Sequence, residues 1–517
     1  MSKKAADIFA AIHLGSEKVS LKIVEYRSLE YIKVLDFAEQ RVRIGEETFK
    51  TGMVSLVLVR ELCEILNNYK RLMKEYGVEN YFLIGTTAMR EARNRVFMID
   101  QILMATGLKV EVIDMPLEIY YKYISIARTL KKAGIGADGS ATLFADISSG
   151  GLGITMVENG EIKYQQNIHI GVIRVKESFD KKQRSTAAFN TSLTEYLNSI
   201  VSPVHDNLQN FNIQRIVLSG TNTSLLLNML GKKDLKDKVA ILPTSLFEAL
   251  YQRVIDMKLA KIMHEFALSE QVAEIVLPTI IFYQQLIALT SVQEIVVPPD
   301  SFIDAMVVLY IAREKNHEWL RELDAEIVNF VGNIAKHYNY QSAHAKQVAR
   351  LSEQIFARMR KPYRFSDRHR LILQIASILH DIGKFVNLRQ HYFYSYRLIL
   401  STDIFGLSDE EKQLVAYIVY YHAKDLFSKP MEGMAGPKRD LMPIVAKLSA
   451  ILRIADALDR SYRQKAAQCK ISLKGDEMQI IVKAGQDMSL ERWTIEDKSA
   501  AFEEVFGLKP VLLEMDG

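Results

Sequence analysis

The segment LFADISSGGLGITMVE (residues 143–158) decides the fold, because it reads as a buried strand, a turn of small residues and a second strand. Thr142–Ile147 runs apolar, Ser148–Gly151 supplies the turn, and Ile154–Glu158 resumes extended text. Asn159-Gly160 then makes a tight hairpin into Ile162–Gln166, since that pair tolerates the left-handed backbone of a two-residue turn. The start of the chain follows the same plan. AAIHLGSEKVSLKIVE (residues 10–25) gives strands over Phe9–Leu14 and Val19–Tyr26 around the turn GSEK. Two such units suggest two related lobes with a cleft between them, although any two β-hairpins share this outline.

Between the two units, Val54–Tyr76 has helical periodicity, Tyr81–Ile84 and Val110–Ile113 are short strands, and helical text runs from Leu117 to Lys132. AGIGADGS (133–140) is the strongest loop signal. From Glu318 onward strand signals stop, and Leu320–Met359, Arg368–Ile382, Glu410–Tyr421 and Pro443–Arg460 read as helices. The tail has a hairpin, Lys470–Leu473 with Met478–Val482, a short helix over Ala500–Phe506 and a last strand, Pro510–Glu514. The expected domains are a first lobe over 1–130, a second over 131–316, a helical domain over 317–465 and a small α+β domain over 466–517.

At 517 residues the chain is too long for one core. Its 49% hydrophobic and 25% charged residues are ordinary for a globular protein, and a net charge of +4 gives no basic stripe for generic nucleic-acid binding. Cys63 and Cys469 stand far apart and outside any CxxC, which excludes a disulfide framework or a cysteine zinc site. No signal peptide and no run of about 18 apolar residues is found, so no membrane role and a cytoplasmic location are expected.

Phosphate loops need backbone N–H groups aimed at the anion and side chains small enough to let it approach. Leu14-Gly15-Ser16, Gly85-Thr86-Thr87, Ser148–Gly151 and Ser219-Gly220-Thr221 have this character, and each follows a strand-like run. One alone reads as an ordinary tight turn; four at strand exits point to a phosphate cleft. Arg41 and Arg43 would line a polyanion path or form a solvated strand edge.

IHLGSEKVSLKIVE, LIGTTAMREARN, EVIDMPLEIYYKY, LFADISSGGLGITMV, IHIGVIRVKESF and VLSGTNTSLL resemble, in order and spacing, segments of the exopolyphosphatase/guanosine pentaphosphate phosphohydrolase (Ppx/GppA) family. The resemblance continues into the helical and tail regions. It implies an α/β, actin-like (ribonuclease H-like) fold of two lobes, and release of terminal phosphate from polyphosphate or guanosine pentaphosphate with Mg²⁺ in the cleft. It makes Glu118 the base that orients or deprotonates the attacking water, and Asp146 the magnesium-linked carboxylate. It assigns phosphate holding to Arg90 and to the amides of Gly15, Ser16, Gly150 and Gly151, with Ser219, Gly220 and Thr221 lining the cleft from the second lobe.

The chain departs from the family pattern at several places. His13 stands where the first loop opens with Asp, and Gly153 where the Asp-Ile-Gly-Gly-Gly-Ser-Thr-Glu loop ends in Glu. Ser148 replaces its first loop glycine, Gly151 its serine, and Ile303-Asp304-Ala305 the usual Arg-Glu-Gly. Restoring Glu at 153 would meet an unfavourable backbone angle if that glycine is left-handed.

His344, His380-Asp381 and Asp456 resemble the four-ligand pattern of the HD phosphohydrolase superfamily, and His391 and His422 the additional ligands of its two-metal members. Imidazole with carboxylate suits Mn, Fe or Zn. Tyr394 stands where a further histidine is common, and Lys384 would reach a phosphate or stay solvated. The leading expectation is a phosphoanhydride hydrolase acting in the cleft, as a homodimer, on polyphosphate or guanosine penta- or tetraphosphate. Two alternatives stay open: an HD-type hydrolase with a regulatory cleft, and a non-catalytic sensor.

Overall fold

The computed structural model describes residues 6–136, 138–186, 188–235, 238–299, 301–424, 436–483 and 486–515. The chain divides into two compact units at Arg321/Glu322. The first unit is built on two sheets. One holds β1 (Asp7–Leu14), β2 (Lys18–Tyr26), β3 (Ile32–Arg41), β4 (Asn80–Gly85) and β5 (Glu111–Val112) in the order β3-β2-β1-β4-β5. The other holds β6 (Ala141–Ile147), β7 (Leu152–Glu158), β8 (Glu161–Ile168), β9 (Ile213–Gly220), β10 (Ala240–Pro243) and β11 (Glu294–Val297) in the order β10-β11-β9-β6-β7-β8.

Read from the hairpin side, β3-β2-β1-β4-β5 and β8-β7-β6-β9-β11 are one pattern. In each, the central strand pairs antiparallel with the next strand of its hairpin and parallel with a later one: β1 with β2 and β4, β6 with β7 and β9. The hairpin likeness in the sequence is therefore a repeated lobe. Parallel pairing has a functional consequence, because it brings the carboxyl ends of β1 and β4 together, and those of β6 and β9. The four small-residue turns leave from those ends. β1 and β6 are buried almost throughout, as strands covered on both faces must be, and each sheet carries its own apolar core.

The lobe boundaries differ from those expected. The helix Phe302–Glu314 packs on the first sheet: Tyr310 stacks on Phe9 with ring centroids 3.6 Å apart, Arg313 donates to the Tyr121 hydroxyl at 3.0 Å, and Lys22 pairs with Asp304. Residues 302–314 thus return to the first lobe instead of closing the second. The loop at 133–140 is described except for Ala137.

In the second unit the expected helix over 320–359 is two, Trp319–Lys336 and Ser342–Met359, separated at Asn339, which takes a left-handed φ of 48°. Helices Asp367–Leu379, Asp409–Tyr421 and Met442–Ala457 follow. The tail forms a sheet of β12 (Cys469–Lys474), β13 (Glu477–Lys483) and β14 (Lys509–Met515) in the order β12-β13-β14. Its helix runs over Ser489–Phe506, eleven residues longer at its start than expected, and packs on Met442–Ala457. Tyr363 donates to the carbonyl of Phe506 at 2.6 Å, and Lys498 reaches Asp456 at 2.7 Å. The tail is part of the helical unit.

The Gly220 turn is the tightest of the four. Its φ is +120°, and a Cβ there would lie 1.8 Å from the Ile147 carbonyl oxygen. Gly220→Ala is expected to cost more than about 2 kcal/mol of strain and to lower the melting midpoint of the first unit clearly. Gly231→Ala, at φ +69° with open space around the Cβ, should cost only about 1–2 kcal/mol. Equal shifts in thermal melts of the two variants would refute this account of the turn.

Candidate functional site

Gly15-Ser16, Thr86-Thr87, Ser148-Ser149 and Gly220-Thr221 line one cleft of about 1310 Å³ between the two sheets, together with Glu118, Lys122 and Asp146. Glu118 stands in the first turn of the helix Met115–Lys132, and Asp146 is the penultimate residue of β6. Lys122 follows one helical turn after Glu118. Its Nζ lies 3.3 Å from Glu118 Oε1 and 2.8 Å from Asp146 Oδ2, so one ammonium joins the two buried carboxylates. Arg90 Nη1 lies 3.3 Å from Glu118 Oε2 and donates to the Ile113 carbonyl at 2.7 Å, while its Nη2 donates to Thr87 Oγ1 at 3.2 Å. Asp146 Oδ1 accepts from Ser219 Oγ at 2.9 Å.

Two cations and two anions therefore balance in one buried group. Burial alone would raise the Glu118 carboxyl, but Lys122 and Arg90 prevail and hold it below its ordinary range. Burial alone would lower Lys122, but Asp146 and Glu118 raise it. Glu118 and Lys122 therefore both stay charged. Removing one member of such a group strands a buried charge, at a cost of about 3–5 kcal/mol.

His13 ends in the same place, with Nε2 3.1 Å from Thr86 Oγ1. Burial lowers its pKa to about 3, with Glu118 opposing and Lys122 and Lys18 adding to the shift. It is a neutral residue at physiological pH. Gly153 is not left-handed, which corrects the expectation about its backbone. The obstacle to a side chain there is Ile119, whose Cγ2 would lie 2.5 Å from a Cβ. The Mg²⁺ expected in the cleft does not find a matching donor set. Both oxygens of Asp146 are taken by Lys122 and Ser219, Glu118 is held by Arg90 and Lys122, and neither His13 nor Gly153 offers an oxygen.

Several residues expected to touch phosphate do other work. Arg90 stands behind Glu118 and fixes it, away from the cleft wall. Ser219 is buried against Asp146, and Gly150 and Gly151 lie beneath the surface formed by Ser148 and Ser149. The amide of Gly15 donates to the Lys18 carbonyl and that of Gly151 to Ser148 Oγ, each closing its own turn. Gly15, Ser16, Gly220 and Thr221 do line the cleft, as do Arg41 and Arg43. Lys122 and Arg174 were not anticipated from the sequence. Arg174 donates to the Gly150 carbonyl at 3.2 Å and pairs with Glu91 of the first lobe. Tyr120, Tyr121 and Tyr123 are buried helix core.

The second unit brings the remaining candidates together. His344 Nε2 lies 3.4 Å from Asp456 Oδ1 and 3.8 Å from Asp381 Oδ2; His380 Nε2 lies 3.5 Å from Asp381 Oδ2; His391 Nε2 lies 3.5 Å from Asp381 Oδ1. Ligand atoms of His344, His380 and Asp381, and of Asp381, His391 and His422, can each gather within 4.8 Å, with Asp381 common to both sets. All four imidazoles are oriented alike. Nδ1 donates to Asp459 at 2.9 Å from His344, to the Ser377 carbonyl at 2.8 Å from His380, to the Leu388 carbonyl at 3.2 Å from His391, and to the Val419 carbonyl from His422. Such anchoring turns Nε2 inward as the metal-binding nitrogen. Burial lowers the pKa of His380, His391 and His422 and keeps theirs unprotonated, whereas at His344 burial is outweighed by Asp456 and Asp459, which raise it to about 9, so an ion would displace a proton there. Nε2 of His344 and His380 is buried without a hydrogen-bond partner, and two metal ligands are a physical reason for that. Lys384 pairs with Asp381, and Tyr462 donates to the same carboxylate at 2.8 Å. Tyr394 packs on Phe393 with ring centroids 5.5 Å apart.

Fold and site together define an actin-like, two-lobed first unit with a cleft lined by small-residue turns, followed by a helical unit with a histidine–aspartate cluster. The profile of the Ppx/GppA phosphatase family matches residues 22–298, and that of Ppx/GppA phosphatase domain III matches residues 329–499. The chain belongs to the Ppx/GppA phosphatase family. It is 20% identical over 483 residues to a guanosine-5'-triphosphate,3'-diphosphate pyrophosphatase of Vibrio cholerae (91% of this chain, 92% of that protein). It is 21% identical over 475 residues to the protein of that name from Aeromonas hydrophila (91% of each). Among solved structures, an exopolyphosphatase from Cytophaga hutchinsonii aligns with a TM-score of 0.52 at 19% identity, covering 59% of this chain and 98% of that one. The Aquifex aeolicus family member aligns with a TM-score of 0.50 at 19% identity, covering 60% and 99%. Among the described residues no single helix is long and apolar enough to cross a membrane.

His13 gives the first unit a defined acid sensitivity. Its folded pKa of about 3 lies below the ordinary 6.5, so between these values the unfolded chain binds a proton that the folded one does not. The stabilisation is complete above pH 6.5 and is lost as pH falls, by up to about 1.4 kcal/mol per pH unit. His13→Gln keeps a hydrogen-bonding group without titrating. Its melting midpoint is expected to fall less steeply than that of the wild type between pH 6.5 and 4. Parallel curves would refute the assignment.

Proposed function

We propose that the chain hydrolyses the terminal phosphoanhydride of a short phosphate chain in the cleft, and that guanosine pentaphosphate is a better substrate than long-chain polyphosphate. The observation that carries this reading is Glu118, a charged carboxylate fixed by Arg90 and Lys122 where four small-residue loops converge. Phosphoryl transfer passes through a loose transition state, so positioning and charge balance matter more than a strong base. A carboxyl held below its ordinary range is a weak proton acceptor. Glu118 therefore works by accepting a hydrogen bond from the attacking water and aligning it, while the loops and Lys122 receive the phosphate oxygens. The family assignment and the names of the relatives support the reaction class.

The choice of substrate length rests on the rim. Lys18 is paired with Glu39 and Lys22 with Asp304, and Glu46, Glu47 and Glu61 also line the cleft. Arg41 and Arg43 are the other cations of this lining, and carboxylates interrupt them; a long polyanion needs a continuous basic track, which an interrupted one serves less well.

One observation favours a second activity. The orphaned Nε2 atoms of His344 and His380 support a divalent transition metal held by His344, His380, Asp381 and Asp456, with His391 and His422 completing a second position beside Asp381. A bound ion would supply Lewis acidity and lower the pKa of a coordinated water. Lys384, Arg460 and Tyr462 line the adjoining pocket of about 500 Å³ and would orient the phosphoryl group of a phosphoester.

Glu118→Gln is expected to reduce phosphate release from guanosine pentaphosphate by at least about 100-fold, with affinity for the nucleotide held within about threefold. Unchanged release by this variant would remove Glu118 from the mechanism. For the second unit, elemental analysis should find a transition metal in purified wild-type protein and a loss of it in the double variant His380→Ala, Asp381→Ala. Equal metal in both would remove the site.

A further inference from the structure

Lys122 lines the cleft, yet no phosphate loop contains it. The helix Met115–Lys132 places it four residues after Glu118, on the same face, with its side chain only 10% exposed. A long cationic side chain is buried this deeply only when specific partners hold it. Its partners are the two buried carboxylates of the cleft, Asp146 Oδ2 at 2.8 Å and Glu118 Oε1 at 3.3 Å. An ammonium carries three N–H donors, so one donor remains beyond these two carboxylates. The other oxygens of the pair are taken as well, Asp146 Oδ1 by Ser219 and Glu118 Oε2 by Arg90. A divalent ion between Asp146 and Glu118 would have to displace the ammonium, and would meet His13 and Gly153 where further oxygen ligands would be needed.

We infer that Lys122 is the built-in cation of the cleft, standing between Glu118 and Asp146 in place of a divalent metal and offering its third N–H to an oxygen of the phosphate chain. The inference deepens the hydrolase reading and rests on it for the identity of the ligand. It makes phosphate-chain binding in the cleft independent of divalent metal. It also gives Lys122 a function besides structural charge balance, since among the described residues it is the one cation that touches both carboxylates and faces the cleft.

The test uses the full chain carrying His380→Ala and Asp381→Ala, so that the histidine–aspartate cluster does not contribute metal-dependent binding. Tripolyphosphate is titrated calorimetrically in excess EDTA and again in Mg²⁺. Equal dissociation constants, within about twofold, are expected. Lys122→Met added to this background should weaken metal-free binding at least tenfold, and Lys122→Arg should keep it within about threefold. Lys122→Met should also open the carboxylate pair to Mn²⁺, read by electron paramagnetic resonance of the free ion. If Lys122→Met does not fold, the charge-compensated pair Lys122→Met with Asp146→Asn takes its place for the binding arm. Binding that requires Mg²⁺, no binding under either condition, or full metal-free binding without Lys122 would each overturn the inference. The hydrolase reading is judged separately. Metal-free binding with no phosphate release from any phosphate chain leaves the Lys122 inference standing and removes the hydrolase; Mg²⁺-dependent binding with release does the reverse.

Discussion

Charge balance inside the first unit is the constraint on which its site depends. Two unit charges about 4 Å apart interact by about 4 kcal/mol at an effective dielectric near 20, so an unbalanced carboxylate at Asp146 or Glu118 would be a serious defect. Lys122 and Arg90 remove it, and their geometry also sets the architecture. Glu118 and Lys122 come from the helix of one lobe and Asp146 from the central strand of the other, so the ion bridge spans the cleft at its base. Ser149 donating to Glu17 at 2.7 Å and the Arg174–Glu91 pair repeat the connection nearer the surface. The loops are held at a defined separation by polar contacts, in a region where small residues leave little apolar area to bury.

Much of this was legible in the sequence, for physical reasons that differ from place to place. The central strands were visible because strands covered on both faces are continuous apolar runs, and the loops because phosphate-type turns demand small residues. The histidine–aspartate cluster was visible because its ligands recur on helices whose periodicity brings them to one side. Lys122 was missed because an isolated lysine on a helix usually belongs to a solvated face; its spacing of four from Glu118 was the available signal. The start of the tail helix was missed for a related reason. Its inward face carries Glu491, fully buried and paired with Lys465 at 3.0 Å, and a buried glutamate breaks the apolar period. The return of Phe302–Glu314 to the first lobe is a long-range packing event, carried by Tyr310 on Phe9, that local pattern cannot encode.

The second unit solves its charge problem differently. Each of the four histidines of its cluster gives Nδ1–H to a fixed acceptor, so the imidazoles turn Nε2 inward. Asp381 and Asp456 receive Lys384 and Lys498, the latter from the tail helix. The tail thus takes part in the cluster, which explains why it folds against the helices instead of forming a body of its own.

The departures from the family pattern in the cleft become coherent when taken with Lys122. The resemblance implies acids at the positions of His13 and Gly153, which suits a site whose carboxylates share a divalent ion. Here the position of His13 is neutral and that of Gly153 is filled by the packing of Ile119. Adding two carboxylates while keeping one lysine and one arginine would leave the buried group strongly negative, and a phosphate chain would then meet repulsion at the base of the cleft. With neutral residues at both positions the group is balanced before substrate arrives. The lining above that group holds both signs of charge, Arg41 and Arg43 together with Glu46, Glu47 and Glu61.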